Sequence, residues 1–360
     1  MRLRIRRIER PYDFKALAAV WSELALASGQ TSPFLSYDWF WCCWHGVWPR
    51  RRPEILVIED ASSPLAIIPL MHWRGRLYGL PVRWLGLLEY GHTPMVDMLS
   101  VAEHDRVMET FIDYLASRSD WDITWFQRLP VTSPTVKALE RVPAEHLPWR
   151  RVGEFFSPYL SIKEGWKRFY DRQSLAVRKS HDALWAALKR TGELSIEEHR
   201  TVDPWSPFFQ ETVSFICRSS TNGRMVDNDT TSRLPEFSRE LTRRAAKNGW
   251  LSIWLLKLSS RVIAMQYQLH AEGQVQVLWE DHDPAYAAWL PNTILNLAVL
   301  QSLFACGWAH EFRTVPRPIN DRCWWVTGWH ELVHFKLYRP SFYARLLQRI
   351  DRLVVPEPSL

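Results

Sequence analysis

The 360-residue sequence lacks the short signatures that mark many enzymes. It has no Gly-rich phosphate loop and no nucleophile elbow, which argues against P-loop phosphoryl transfer and serine-hydrolase chemistry. Among its 12 histidines no Ser-His-Asp order or metal-ligand spacing stands out. His330 and His334, four apart in "WHELVH", have the spacing of a helical metal pair but lack a third ligand, so no metal is expected. The five cysteines (42, 43, 217, 306 and 323) are odd in number and contain no C-x-x-C, which reads as reduced thiols in a cytosolic protein. Cys42 and Cys43, in a tryptophan-rich segment, read as packing residues. No stretch of about 18 residues is continuously apolar, so no membrane span is expected. The first residues lack the apolar core of a signal peptide, and the expected localisation is cytoplasmic.

What is present is a globular composition, 47% apolar and 23% charged, with a net charge of +6. The one dense basic cluster, "MRLRIRRIER", carries Leu3, Ile5 and Ile8 at near-strand spacing and reads as a charged edge strand. No other block of basic residues with interleaved aromatics occurs, so nucleic acid is not an expected partner. Most of the 21 tryptophans should be core, with some free to form a stacking surface for sugars. The tail "VVPEPSL" reads as disordered.

Two stretches rhyme. "EILVIEDASSPLAIIPLMHW" (54–73) and "LSIWLLKLSSRVIAMQYQLH" (251–270) each read strand, Ser-Ser turn, strand. Each follows helices and precedes a further strand and a helix, and each half closes on a strand ("WDITWFQRL"; "WAHEFRTV"). This order predicts two related α/β domains, 1–153 and 154–345, with a tail at 346–360. Between the hairpins, 161–249 reads as a helical segment, with Pro204, Pro207 and Pro235 at first turns and Gly192 and Gly249 as stops. Its basic face (Lys167, Arg168, Arg172, Arg178, Lys179, Lys189 and Arg190) is either solvated surface or a clamp for a polyanion.

The hairpin "LSSRVIAMQYQL" and the stretch "DPAYAAWLPNTILNLAVLQSLFACG" resemble those of GNAT-fold acyltransferases, and the acyl transfer to an amine or hydroxyl that this resemblance implies needs a held donor, a proton acceptor and a proton source, with no covalent enzyme intermediate. A splayed strand pair offers free backbone groups, and a helix start just beyond it offers unpaired N–H groups to an anion. "QVQVLWEDHD" should be the strand at the splay and "PNTILNLAVL" the helix. Pro291, Asn292, Thr293 and Ile294 are therefore the candidates for contacting the phosphates of a donor. Glu280 and Asp283, flanking Asp281 and His282, are candidate proton acceptors, and Tyr286 is the candidate acid for the leaving group. Glu311 points either into the cleft or to a salt bridge. His92 and Asp97 occupy the corresponding loop of the first half and, with Trp279 and Asp321, are the candidates for contacting the acceptor.

The stretches "LGLLEYGHTPMVDML", "YLSIKEGWKRFYDRQSLAVRKSHDALWAALKRTGELSIEEH", "GWLSIWLLKLSSRVIAMQYQLH" and "DPAYAAWLPNTILNLAVLQSLFACGWAHEFRTV" together resemble the GNAT-fold acyltransferases. The branch they resemble most is the cellulose-biosynthesis or polysaccharide-associated acetyltransferases, with Fem-type two-domain architecture. The family places an aspartate, a tyrosine and Ser-Pro-Gly before a helix; Asp283, Tyr286 and Pro291 match, while Leu290 and Asn292 replace Ser and Gly. Glu311 and Trp324 fit the family's last strand. Its glycine and Tyr-Lys pair are missing, and Asn320 and Asp321 stand about where the pair would fall. The family's Arg/Gln-x-x-Gly-x-Gly/Ala loop is also missing, "RLYGLP" (76–81) being the nearest string.

The resemblance implies an α/β (α+β) fold of two tandem GNAT-like domains, each a mixed, mostly antiparallel sheet flanked by helices. It implies acetyl-CoA or another acyl-CoA as donor, a sugar or amine as acceptor, and a role in cell-surface or exported polysaccharide, with polysaccharide-synthesis proteins as partners. Two alternatives stand beside it. One is a catalytically inactive scaffold, favoured by the missing glycine and Tyr-Lys pair. The other is a Fem-type aminoacyl-tRNA-dependent transferase, favoured by the basic helices.

Overall fold

The computed structural model describes residues 3–30, 32–47, 51–61, 63–91, 93–101, 104–222, 233–314 and 324–354. The chain forms two compact units, Met1–Phe156 with Glu331–Leu360, and Ser157–His330. Residues 331–345, which the sequence order grouped with the second half, cluster with the first unit.

In the first unit the strand order is β1 (Arg4–Ile8), β2 (Arg52–Glu59), β3 (Pro64–Leu77), β4 (Leu80–Leu87), β6 (Ile123–Pro130) and β13 (Gly328–Tyr338). Every neighbouring pair is antiparallel except β4 with β6, which run parallel. A short β5 (Leu99–Ser100) pairs back on β3. The basic N-terminal stretch is the edge strand its spacing predicts, with Arg6 and Arg7 ion-paired to Glu59 and Glu54 on β2.

Helices α1 (Pro11–Lys15), α2 (Ala18–Ser28) and α3 (Tyr37–Val47) connect β1 to β2. Their inner faces bring Phe14, Trp21, Phe40 and Trp44 into one aromatic cluster, with Cys42 and Cys43 buried and unbridged beside it. Helix α4 (His104–Ser117) buries Val107, Met108, Phe111, Ile112 and Leu115, one apolar stripe, against Leu56, Ile68, Leu70 and Phe126 of the sheet. Helix α5 (Pro134–Glu140) follows β6, and α11 (Phe342–Val354) follows β13. The tail expected from residue 346 onward is thus helical through Val354.

The second unit repeats this order, with β8 (Leu194–His199), β9 (Leu251–Leu258), β10 (Arg261–Ala271), β11 (Gln274–His282), β12 (Glu311–Arg313) and β7 (Trp149–Ser161). Again one pair, β11 with β12, is parallel and the others are antiparallel. The fold class read from the sequence is the one observed. Strand β8 lies inside the segment expected to be helical; Leu194 and Ile196 alternate with polar residues and pair it with β9.

Helices α6 (Trp166–Asp171), α7 (Leu175–Lys189) and α10 (Pro291–Cys306) cover one face of this sheet, over Leu256, Ile263, Val275 and Val277. Helices α8 (Pro207–Asn222) and α9 (Leu234–Lys247) cover the other. There Phe237 of α9 meets Trp279, and Thr242 hydrogen-bonds the Tyr267 hydroxyl at 3.0 Å.

Candidate active site

Two tight hairpins set up the region. Ser259 and Ser260, both with positive φ, turn β9 into β10, and Glu272 and Gly273, also both positive, turn β10 into β11. Paired positive-φ residues match the right-handed twist of the flanking strands. Strand β11 then pairs with β10 along its length but with β12 only at Gln274–Glu311, Val275–Phe312 and Gln276–Arg313. Among the described residues Val277–His282 has no second neighbour in the sheet. Alternate N–H and C=O groups of that segment face the open edge. Tyr267 opposes Trp279 while Gln268 opposes Val277, so Leu278 is an extra, bulged residue beside the opening.

Beyond β11, the 3-10 turn Pro284–Trp289 leads into α10, whose first residue is Pro291. Leu290 adopts a left-handed conformation (φ 45, ψ 57) and its carbonyl accepts from the amides of Thr293 (2.9 Å) and Ile294 (3.4 Å). The expected anion contacts therefore narrow. The Thr293 and Ile294 amides are engaged, Pro291 has none, and Asn292 keeps a first-turn amide with no carbonyl behind it in the helix. The Oδ1 atoms of Asn292 and Asn296, one turn apart, are buried without a partner, as is Nδ1 of His282 at the end of β11. Buried polar atoms nearly always have partners, so orphans on the end of β11 and the first turns of α10 fit a site that receives a polar ligand. The two Oδ1 atoms accept and so suit N–H or O–H groups of a ligand, while the Asn292 amide can donate to an anion. Asn292 was among the sequence candidates and Asn296 was not; its signal was a second asparagine four residues on in an apolar helix.

Glu280 lies on the open segment, opposite Gln266 of β10. Gln266 is buried, donates to Glu280 Oε2 at 3.3 Å and accepts from the buried Gln268 at 2.6 Å. This chain of amides orients the carboxylate, and neither glutamine was among the sequence candidates. Asp281 opposes Met265 and its Oδ2 accepts from Arg218 of α8 at 3.1 Å.

The other candidates have different surroundings. Asp283 caps the 3-10 turn, accepting from the Ala285 amide (3.0 Å) and from Arg261 (2.6 Å). The amide bond first, and then Arg261, hold its pKa below the usual carboxylate range, which makes it a weak base. Tyr286 is half-buried with its ring 5.8 Å from Trp289 and the Arg261 guanidinium 5.5 Å from its centre. Glu311 pairs with Gln274, at the far end of β11, about 20 Å along the strand from Glu280. Burial works to raise its pKa, but bonds from His330 (2.8 Å) and Arg313 outweigh it and lower the pKa. Glu311 is thus the salt-bridge partner, not a cleft residue.

Of the four acceptor candidates, two have other surroundings and two lie outside the described residues. Trp279 is 1% exposed, with its ring 4.9 Å from Tyr267, because its strand position faces α9. It is core and unavailable to a ligand. Asp97, in the first unit, is buried and accepts from Ser133 (2.6 Å), Thr135 (2.7 Å) and the Met98 amide (2.8 Å). It ties β5 to the start of α5, and burial raises its pKa. His92 and Asp321 lie outside the described residues, as does Asn320. His330 and His334 lie on a strand, not a helix. Among the described residues no three His, Cys, Asp or Glu side chains could together hold a metal ion.

The basic face of α6 and α7 is largely neutralised from within. Lys167 and Arg178 pair with Asp171, and Arg168 and Arg172 pair with Glu164. Among the described residues the large exposed apolar side chains include Trp205, under the Arg239 guanidinium.

Residues 176–316, from α7 through β12, match the family model described as Acetyltransferase (GNAT) domain. The fold is that of the GNAT acetyltransferases. GNAT-type and Fem-type structures span nearly the whole chain at low identity. A conserved protein of unknown function from Bacteroides thetaiotaomicron VPI-5482 has TM-score 0.55 and 10% identity, covering 93% of this chain and 100% of its own. FemX has TM-score 0.54 and 8% identity, covering 97% and 99%. A tandem GNAT protein from the clavulanic acid biosynthesis pathway has TM-score 0.52 and 10% identity, covering 94% and 99%. A search of curated proteins gave no match. The stretch that matches the GNAT model encloses β9, β10, β11 and α10, and with them the unpaired part of β11 and the orphaned asparagines.

Proposed function

We propose that the chain transfers an acyl group from an acyl-CoA donor to a sugar amine or hydroxyl, in the making of a cell-surface or exported polysaccharide. The observation that carries this reading is the pairing of β11 with β12, which stops after three residues and, among the described residues, leaves Val277–His282 without a second strand neighbour beside the start of α10. Asn292 and Asn296 hold the donor's polar groups, and the free edge of β11 receives its amide-bearing arm as an added strand. A thioester donor supplies an activated carbonyl. Glu280, set by Gln266, takes the proton of the attacking amine or hydroxyl, directly or through water. The new bond to the acyl carbon forms as the C–S bond breaks, and Tyr286 returns a proton to the departing thiolate. The polysaccharide assignment rests only on the resemblance of residues 10–345 to that branch.

Titration calorimetry with acetyl-CoA, followed by turnover with amino sugars, tests the reading. Glu280→Gln should leave donor affinity within a few-fold and lower kcat by about 10²–10⁴. Failure of acetyl-CoA and longer acyl-CoAs to bind at all would sink it and return the scaffold reading.

A further inference from the structure

Helix α11 is amphipathic, with only part of its apolar side turned inward. Its inner face is Ala344, Leu347 and Asp351, all fully buried. Asp351 accepts from four side chains of the first unit: Tyr338 (2.5 Å), Lys336 (2.7 Å), Tyr78 (2.9 Å) and Arg150 (3.1 Å). Tyr343 adds a bond to the Pro81 carbonyl at 2.7 Å. These five bonds fix the roll of the helix, and with it the face that looks outward.

That outward face is apolar where a surface helix is ordinarily polar. Phe342 is 88% exposed, Leu353 84% and Leu346 42%. At 3.6 residues per turn these three fall within about 40° of one another. Arg345, Arg349 and Arg352, all exposed, form the strip beside them. The one carboxylate of the helix, Asp351, is buried and neutralised by Lys336 and Arg150.

We infer that the outer face of α11 docks on an anionic lipid bilayer, with Phe342, Leu346 and Leu353 entering the headgroup boundary and Arg345, Arg349 and Arg352 pairing with lipid phosphates. An apolar ridge beside an arginine strip is the pattern of helices that lie in a membrane interface. Charge decides between occupants. A second copy presenting the same face would set three arginines against three, whereas an anionic surface complements them. The aliphatic stems of the arginines extend the apolar strip while their heads reach the phosphates.

Co-sedimentation of the full chain with vesicles tests this, using phosphatidylcholine alone and phosphatidylcholine mixed equally with phosphatidylglycerol. The chain should partition to the mixed vesicles and be released by high salt. Arg345→Glu/Arg349→Glu/Arg352→Glu should weaken that binding roughly a hundred-fold or more, since each basic residue near an anionic surface counts for about fivefold. Phe342→Ser/Leu353→Ser should also abolish retention while leaving Tm nearly unchanged, because both side chains are exposed. Should either multiple variant fail to fold, Leu353→Gln alone carries the comparison. Equal binding to neutral and mixed vesicles, or binding that the variants leave intact, would overturn the inference. So would a dimer in sedimentation velocity that depends on Phe342 and Leu353 without vesicle binding.

Discussion

At His334 a single proton matters to the first unit. Its Nδ1 accepts the Arg128 amide at 2.8 Å, so the ring must be neutral for that bond to exist. Arg128 sits at φ +53, a conformation that costs a non-glycine residue energy and persists only where its surroundings enforce it. Phe155 lies 4.0 Å from the imidazole between ring centres. Burial first, and then the Arg128 charge, push the His334 pKa down to about 3. Between that value and the ordinary 6.5 the unfolded chain binds the proton and the folded chain does not. Stability therefore falls as pH drops below 6.5, by about 2 kcal/mol over the first two pH units. Denaturant titrations should show this slope in the native sequence and lose most of it in His334→Gln. An unchanged slope would remove His334 as its source. The sequence showed His334 only as half of a metal-type pair, because a histidine's role depends on what its strand neighbours bring to each ring nitrogen. Trp279 and Asp97 misled for the same reason. Which face of a strand is buried, and which hydroxyls surround a carboxylate, are set by distant segments.

Among elements, the ones legible in the sequence were those whose period matched their burial. The β9–β10 hairpin alternates, turns at two serines and was read correctly; so was α10, with Pro291 at its first position. Helix α11 carries its apolar residues on one side, from Phe342 through Leu347 to Leu353, but the stretch was read as a tail from residue 346 and the pattern was passed over. Strand β8 was lost between two strong helical patterns. An opening was expected near the acids and the helix start, and among the described residues β12 stops pairing before them; the bulge at Leu278 and the glutamines behind Glu280 come from strand register, which depends on pairing. The start of α10 gives a prediction at this scale. Asn296→Leu removes a buried, unpartnered amide oxygen and adds apolar contact, so the unliganded protein should gain about 1 kcal/mol. The same change removes a polar group proposed to hold the donor. Differential scanning calorimetry should then show a higher Tm without acetyl-CoA and a smaller rise with it. A full rise with the donor would place Asn296 outside the site.

For the whole molecule, the two related units are not two consecutive pieces of chain. Strand β7 begins in the first unit and its residues Ser157–Ser161 belong to the second, while β13 begins at Gly328 in the second and runs from Glu331 in the first. The sequence showed two halves in succession because repeats are read along the chain, and an exchange of last strands leaves no local trace. The exchange has a consequence for dissection. A fragment ending at Phe156 lacks the strand that pairs with β6 from Ile123 to Pro130, and it lacks α11 with Asp351. It would expose the buried Phe126 and Leu129 and leave Arg150 without its carboxylate. Both are costly, an unpaired buried charge by about 3–5 kcal/mol, comparable to the whole stability of many domains. The fragment 1–156 should therefore fail to give a cooperative thermal transition. Adding back residues 331–354 through a flexible linker should restore one, because that segment supplies the missing strand and the helix docked by Asp351. A cooperative transition in the fragment alone would show that β13 is dispensable to the first unit.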